Sequence, residues 1–233
     1  MSVAITQGGF PVHTLANEAV RLRMEWMLPN AEELWSRIQQ RAAPLLARRI
    51  AVAGVRDGEG ASTVAMALAH FLWRRLGKRV LLIETNLRKP SLESSGLVPE
   101  GSMGLLGAME GSCELHETIY TSEPLGFSVL PAGRMAPSPA TVLTEANLGV
   151  VCLKLNPHFD YMIYDCPSLY GAPEARIPIS ASESVVAVIR AGIATPELSS
   201  HWLTMIGQYG GTVGAVCLNG VKNPLPAWLR RWC

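Results

Sequence analysis

The sequence contains few charged residues and very few lysines. Charged residues make up 17% of its 233 residues, and only four positions (78, 89, 154 and 222) are lysine. The formal net charge is +1. A protein that binds nucleic acid or an acidic surface ordinarily carries a basic patch. We therefore expect no nucleic-acid partner.

Long apolar runs and paired cysteines are also missing. No apolar run approaches the roughly 20 residues that a membrane-spanning helix needs. Residues 1–20 have neither the basic start nor the apolar stretch of a signal peptide. The five cysteines, at positions 113, 152, 166, 217 and 233, form no C-x-x-C pair and no cluster with histidine. We expect reduced thiols and a cytoplasmic protein that reaches a membrane only through a partner or its surface.

The clearest pattern lies between residues 50 and 86. An apolar strand at 50–53 leads into a glycine-bearing loop at 54–60 and then a helix that ends at Gly77. A second strand at 80–83 is apolar throughout, which is typical of a strand buried on both faces. The three elements predict a βαβ unit, whose loop lies where nucleotide phosphates bind.

The loop almost fits the phosphate-binding pattern G-x-x-x-x-G-K-[ST]. Aligned on Gly60, the hydroxyl position is Ser62, but the lysine position is Ala61 and the first glycine position is Val55. A loop without its lysine lacks the charge that follows the transferring phosphoryl group. A glycine-rich turn that binds no ligand therefore stays open as the alternative.

The rest of the chain predicts alternating helices and strands. Residues 1–13 are expected to be a loose arm, followed by two helices at 15–28 and 31–47, the second with Asn30 as its N-cap. These helices either pack on the sheet or form a subunit interface. Further strands are predicted at 127–130, 161–164, 185–189 and 212–218, and further helical segments at 105–109, 115–119, 141–155 and 196–207. Alternation of this kind predicts an α/β protein, a three-layer sandwich with a mostly parallel sheet.

Polar residues stand at the predicted strand ends, where open α/β sheets bind ligands. Asp165 follows an apolar run, the context of an aspartate that holds Mg²⁺, with Ser62 as its partner. Glu84 either orders metal or activates a hydroxyl, or it is a solvated or structurally paired acid. Arg56 either contacts phosphate or points to solvent.

These residues together resemble the bacterial tyrosine kinases of capsule and exopolysaccharide assembly, a branch of the MinD/ParA-like P-loop ATPases. DGEGAST at 57–63 is similar to the family's PGEGKST, and RVLLIETNLRKPSL at 79–92 to its VLLIDADLRRP. FDYMIYDCPSL at 159–169 is similar to YDYVIIDTPP. The order and spacing of such motifs over residues 15–222 carry the resemblance. It implies three parts: an N-terminal arm and helices at 1–48, a P-loop NTPase-like domain at 49–222 and a short tail at 223–233.

The resemblance also implies ligands and partners. Nucleotide contacts would be made by Arg56, Asp57, Gly58, Glu59, Gly60, Ala61, Ser62, Thr63 and Asn219, with Mg²⁺ held by Ser62 and Asp165, and with Asp165 and Glu84 as the catalytic carboxylates. The implied cofactors are ATP or ADP with Mg²⁺. The implied partners are a membrane polysaccharide co-polymerase or an active kinase paralogue, in a homo- or hetero-oligomer at the inner face of the cell membrane.

Three departures from the family decide the interpretation. Ala61 stands where the family has the loop lysine, and Glu84 and Asn86 stand where it has two aspartates after the second strand. The last tyrosine of the sequence is Tyr209, so we expect no counterpart of the family's C-terminal tyrosine cluster. The sequence therefore predicts a degenerate, non-catalytic or weakly active subunit of exopolysaccharide or capsule production. An active kinase or ATPase is the alternative, and a ParA/MinD-like positioning ATPase a lesser one.

Overall fold

A computed structural model describes residues 5–6, 10–13, 18–41, 47–122, 125–193 and 195–221. Within these ranges nine strands form one sheet: β1 (Ile5–Thr6), β2 (Phe10–His13), β3 (Arg49–Gly54), β4 (Val80–Glu84), β5 (Tyr120–Ser122), β6 (Ser128–Leu130), β7 (Tyr161–Asp165), β8 (Ser184–Arg190) and β9 (Val213–Asn219). Their order across the sheet is β1-β2-β5-β6-β4-β7-β3-β8-β9.

Six neighbouring strands of this sheet, from β6 to β9, run parallel. Their carboxyl ends therefore meet at one edge, where Glu84 of β4 lies directly opposite Asp165 of β7. The central strands are buried along nearly their whole length, as the continuous apolar runs predict. The prediction of a mostly parallel sheet is confirmed.

Helices cover both faces of the sheet. Their bounds are α1 (Glu18–Arg41), α2 (Ala61–Leu76), α3 (Gly104–Glu110), α4 (Pro139–Val142), α5 (Glu145–Leu155), α6 (Arg176–Ser180) and α7 (Pro196–Gln208). The apolar cluster on one face holds α1 and α2, and the cluster on the other holds α3, α5, α6 and α7. The three-layer P-loop NTPase-like sandwich with a preceding helix is therefore confirmed. No described helix is long and apolar enough to cross a membrane.

The helical lead-in differs from its prediction. A single helix, α1, runs through Pro29, so Asn30 is not an N-cap. A proline inside a helix costs about 3 kcal/mol, because it removes one hydrogen bond and crowds the preceding turn. Tertiary burial offsets that penalty, since α1 packs against α2 and β9 with a buried apolar stripe. The stripe consists of Met24, Leu28, Ala31, Leu34, Trp35 and Ile38.

The first residues also differ from their prediction as a loose arm. Residues 5–6 and 10–13 form β1 and β2, and β2 extends the sheet by pairing with β5. Strands of two to four residues are too short for a sequence period to reveal them, and β5 itself was not predicted. The predicted tail at 223–233 lies outside the described residues, and the boundaries near 48 and 222 stay predictions.

The predicted helix at 141–155 is two helices in the structure. α4 ends at Val142, and α5 begins at Glu145 after Thr144. The Thr144 side-chain oxygen accepts a hydrogen bond from the Asn147 backbone N–H at 3.2 Å, which makes Thr144 the N-cap of α5. The cap starts a new helix where the sequence period alone had suggested one continuous helix.

Candidate functional site

A cleft of about 600 Å³ opens at the carboxyl ends of the parallel strands. Every loop residue predicted to contact nucleotide lines this cleft, namely Arg56, Asp57, Gly58, Glu59, Gly60, Ala61, Ser62 and Thr63, and so does Asn219. The cleft also contains Arg23, Lys89, Ser168 and Arg190, none of which the sequence identified as a ligand contact. The fold therefore collects the predicted loop contacts in one place and adds cations to them.

Glycine is required where the loop meets α2. Gly60 has a φ of +93°, and a Cβ built there would lie 2.1 Å from the Asn219 Nδ2 atom. That amide instead donates a hydrogen bond to the Glu59 carbonyl oxygen at 2.7 Å. Asn219, at the end of β9, therefore holds the loop in shape from outside. Its predicted contact with nucleotide stays a prediction.

The loop also contains its own acceptor. Glu59 is buried, and its Oε2 accepts a hydrogen bond from the Val55 backbone N–H at 2.7 Å. The Arg190 Nη1 atom donates to the Gly58 carbonyl oxygen at 3.0 Å. These bonds fix both the inner and the outer side of the loop without a ligand.

Ser62 and Asp165 lie together below the loop. Asp165 is 2% exposed at the end of β7. Burial raises the pKa of its carboxyl group to about 7, a hydrogen bond from Ser62 lowers it, and the charge of Glu84 raises it. A hydroxyl beside a buried carboxylate is the pair of oxygen ligands that Mg²⁺ uses in phosphate-binding loops. The predicted pair is thus in contact.

Glu84 is fully buried and fully engaged. Its Oε1 accepts hydrogen bonds from the Ser91 backbone N–H at 2.5 Å, the Ser91 hydroxyl at 3.0 Å and the Leu92 N–H at 3.1 Å. Its Oε2 accepts one from the Ala132 N–H at 3.0 Å. The neighbouring Thr85 donates from its N–H and its hydroxyl to the Asp165 carbonyl oxygen, both at 2.9 Å. The end of β4 is therefore tied to three neighbouring segments.

Asp57 in the loop has two donors from other parts of the chain. Its Oδ2 pairs with the Lys89 ammonium at 2.5 Å, and its Oδ1 accepts a hydrogen bond from the Ser168 hydroxyl at 2.6 Å. The sequence analysis did not identify Lys89 as a neighbour of the loop, because the position of β4 relative to β3 is not visible in a sequence. The other candidate cation, Arg56, lies over the Tyr170 ring with its Cζ 5.9 Å from the centroid.

The residues present fit a magnesium nucleotide in part. The left-handed glycines, the free first turn of α2 and the contact between Ser62 and Asp165 suit a diphosphate and its Mg²⁺. Ala61 supplies no charge where the family pattern has lysine. A bound diphosphate would thus be held by backbone N–H groups, by Ser62 and Thr63, and by cations from outside the loop.

Comparison with known proteins gives the family. The sequence model of the family described as cellulose biosynthesis protein BcsQ matches residues 47–205, more than half of the chain. The chain belongs to the BcsQ family. The match covers the phosphate-binding loop that lines the cleft, and also α2, Glu84 and Asp165.

This member of the BcsQ family shares its fold with bacterial tyrosine kinases and MinD-like ATPases. The chain is similar to tyrosine-protein kinase CpsD of Streptococcus agalactiae, with 29% identity over 179 residues, 77% of this chain and 78% of that one. Among solved structures it is similar to the kinase domain of the Escherichia coli tyrosine kinase ETK, with a TM-score of 0.72, 23% identity and coverage of 78% and 70%. It is also similar to MinD of Pyrococcus horikoshii OT3 complexed with Mg-ADP, with a TM-score of 0.64, 20% identity and coverage of 80% and 76%. The predicted relationship is confirmed.

Proposed function

We propose that this protein is a non-catalytic or weakly active subunit of bacterial exopolysaccharide production, with cellulose as the polysaccharide that its family name points to. The observation that carries the proposal is Ala61 at the first turn of α2, inside a loop that otherwise keeps its shape. Catalysis of phosphoryl transfer depends mostly on positioning and on charge stabilisation. Loss of the loop lysine removes the charge but leaves the backbone.

The state of Glu84 supports the same proposal. A general base needs a lone pair within reach of the proton that it abstracts. Both oxygens of Glu84 instead accept hydrogen bonds from the protein, four in total. Asn86, two residues on, is an amide and has no basic oxygen to offer. We therefore assign Glu84 a structural role and expect no strong base at the end of β4.

Nucleotide binding would then serve assembly rather than turnover. Bound ATP supplies a transferable phosphoryl group, and its Mg²⁺ neutralises charge on the phosphates. In this protein Ser62 and Asp165 would hold the ion, and Gly58 and Gly60 would let the loop backbone approach the phosphates. On this proposal the protein is a cytoplasmic subunit that contacts a membrane polysaccharide co-polymerase or an active kinase paralogue, and its similarity to the tyrosine-protein kinase CpsD supports the kinase-like part of that assembly.

A working ATPase or kinase is the second candidate. It is favoured by Lys89, which the fold brings to Asp57 in the loop, because an outside cation can replace part of the missing charge. The two candidates differ in turnover. The first predicts at most weak phosphoryl transfer that does not depend on Asp165, and the second predicts ATP turnover that depends on Asp165.

Three measurements on the purified protein test the proposal. ATP hydrolysis and tyrosine phosphorylation are followed with Mg²⁺ for the wild type, Ala61→Lys and Asp165→Ala. We expect the ATP turnover of the wild type to be low and to be the same in Asp165→Ala. Titration calorimetry should show tighter Mg-ADP binding by Ala61→Lys than by the wild type. ATP turnover by the wild type that disappears in Asp165→Ala would contradict the proposal and favour the second candidate.

A further inference from the structure

The cleft contains a cation that the loop itself lacks. We propose that Lys89 is the phosphate-binding cation of this cleft. In the ligand-free protein its ammonium group is paired with the Asp57 carboxylate, and a bound diphosphate replaces that carboxylate as its partner. The inference rests on the proposed function in one respect, because it assumes that the cleft still receives a phosphate group. It adds which residue replaces the missing lysine and what keeps that residue in place.

The backbone around Lys89 is fixed on both sides. Its N–H donates to the Asn86 side-chain oxygen at 3.1 Å. Arg88 forms a two-bond pair with Glu174, at 2.9 Å from Nε and 3.0 Å from Nη2, and Glu174 is buried. On the other side, Ser91 is bound to Glu84. With its neighbours anchored, the exposed Lys89 side chain reaches the loop and pairs there with Asp57.

Asp57 offers Lys89 the same chemistry as a phosphate oxygen. Its carboxylate takes an ammonium donor from Lys89 and a hydroxyl donor from Ser168, and these are donor types that phosphate oxygens accept. The hydrogen bond from Lys89, and then that from Ser168, holds the pKa of Asp57 below its ordinary value, so the carboxylate is charged at neutral pH. The pair is largely exposed, and exposed pairs are weak enough to exchange partners.

The other cations around the cleft are placed differently. Arg190 is engaged with the Gly58 carbonyl oxygen and supports the loop. Arg56 lies over the Tyr170 ring. Arg23 lines the cleft from α1, on the side of Thr63 and Asn219. Among the described cations of the cleft, Lys89 is the one whose side chain is paired with a carboxylate of the loop, which a ligand anion can replace.

Calorimetric titration of Mg-ADP tests the proposal on the full chain. Lys89→Ala is expected to weaken binding about tenfold, and Lys89→Arg to keep most of the affinity, since a charge-assisted hydrogen bond is lost in one and retained in the other. Lys78→Ala is the matched control, because Lys78 is an exposed lysine just before β4, at the opposite end of the strand. It should bind as the wild type does.

Asp57→Ala makes the test decisive even if the wild type binds weakly. Removal of the competing carboxylate is expected to strengthen Mg-ADP binding several-fold, and the gain should vanish in the double variant with Lys89→Ala. Asp57→Ala that binds no Mg-ADP at millimolar concentration overturns the proposal. A loss of affinity in Arg23→Ala together with unchanged binding in Lys89→Ala overturns it as well.

Magnesium pyrophosphate is the second probe, and separates the diphosphate from the nucleoside. The same dependence on Lys89 is expected, because the cation contacts phosphate and not the base. Dependence with Mg-ADP but not with pyrophosphate would contradict this inference. Wild-type ATP turnover that is lost in Asp165→Ala would contradict the proposed function, but it would not affect the inference that Lys89 binds phosphate. Failure of the inference and failure of the proposed function are therefore distinguishable.

Discussion

The two ends of the parallel strands hold their charged groups in opposite ways. At the amino ends, acidic residues just before the strands are matched by arginines: Asp160 pairs with Arg79 at 2.8 Å, and Glu183 pairs with Arg49. At the carboxyl ends, Glu84 and Asp165 lie opposite each other and are both buried. Their hydrogen-bond donors there are N–H and hydroxyl groups rather than cations.

The pKa shifts of Asp160 and Asp165 show this difference within one sheet. The hydrogen bond from Arg79 lowers the pKa of Asp160, so folding favours its charged form. Burial raises the pKa of Asp165 to about 7, so folding opposes its charged form. A buried carboxyl group without a cationic partner is typical of a binding site in which the ligand supplies the positive charge. Four substitutions, at Glu84, Asp165, Asp160 and Lys89, test this contrast.

Glu84→Ala should have the largest effect. It leaves the N–H groups of Ser91, Leu92 and Ala132 without their acceptor, two of them on buried residues. We expect a loss of about 3–5 kcal/mol in the free energy of unfolding, measured by urea denaturation. Glu93→Ala is the control, because Glu93 accepts one N–H, that of Gly101, in an exposed bond. Equal losses in the two variants would mean that Glu84 is not the anchor of this segment.

Asp165→Asn should act in the opposite direction. The raised pKa of Asp165 means that the native state binds a proton between about pH 3.8, the ordinary value, and about pH 7, whereas the unfolded state does not. Stability of the ligand-free protein therefore falls as the pH rises through this window. Asn cannot ionise, so the variant should lose that slope and be more stable at pH 8, by at most about 4 kcal/mol.

Thermal unfolding of wild type and Asp165→Asn at pH 5, 6, 7 and 8 checks this expectation. A variant that is less stable than the wild type at pH 8 would show that the charged carboxylate has a stabilising partner. The carboxyl end of the sheet would then resemble the amino end, and the comparison would fail.

Asp160→Asn probes the amino end and should have a smaller, destabilising effect. The Asp160 carboxylate accepts one hydrogen bond from the Arg79 backbone N–H at 2.9 Å and another from the Arg79 Nη2 atom at 2.8 Å. Because the pair is partly exposed, we expect a loss of about 1–2 kcal/mol at pH 7. The pKa is lowered in the folded state, so this stability is present above about pH 3.8 and is lost as the pH falls below it. A difference between variant and wild type that stays constant from pH 7 to pH 3 would contradict the assignment.

The same contrast explains what the sequence could predict. The loop, α2 and the buried strands follow from local patterns, namely glycines, helical spacing and continuous apolar runs. The contact between Ser62 and Asp165 follows from the spacing of motifs. The partners of Glu84 and the approach of Lys89 to Asp57 depend on which strands are neighbours, and order across a sheet is not a local property. The continuation of α1 through Pro29 was not predicted either, because it depends on burial against α2, which is also a non-local property.

Lys89→Ala should have the smallest effect on stability. The pair between Lys89 and Asp57 is largely exposed, and such pairs contribute about 0–1 kcal/mol. We therefore expect the free energy of unfolding to change by less than about 1 kcal/mol, and that remainder to fall as salt is added. Arg79→Ala is the matched variant at the amino end, and should lose more, since Arg79 has partners on Asp160 and Pro157. A large loss of stability in Lys89→Ala would mean that Lys89 has a structural role like that of the arginines at the amino ends. A negligible loss, beside the stronger effect of Arg79→Ala, leaves ligand binding as the property on which Lys89 acts.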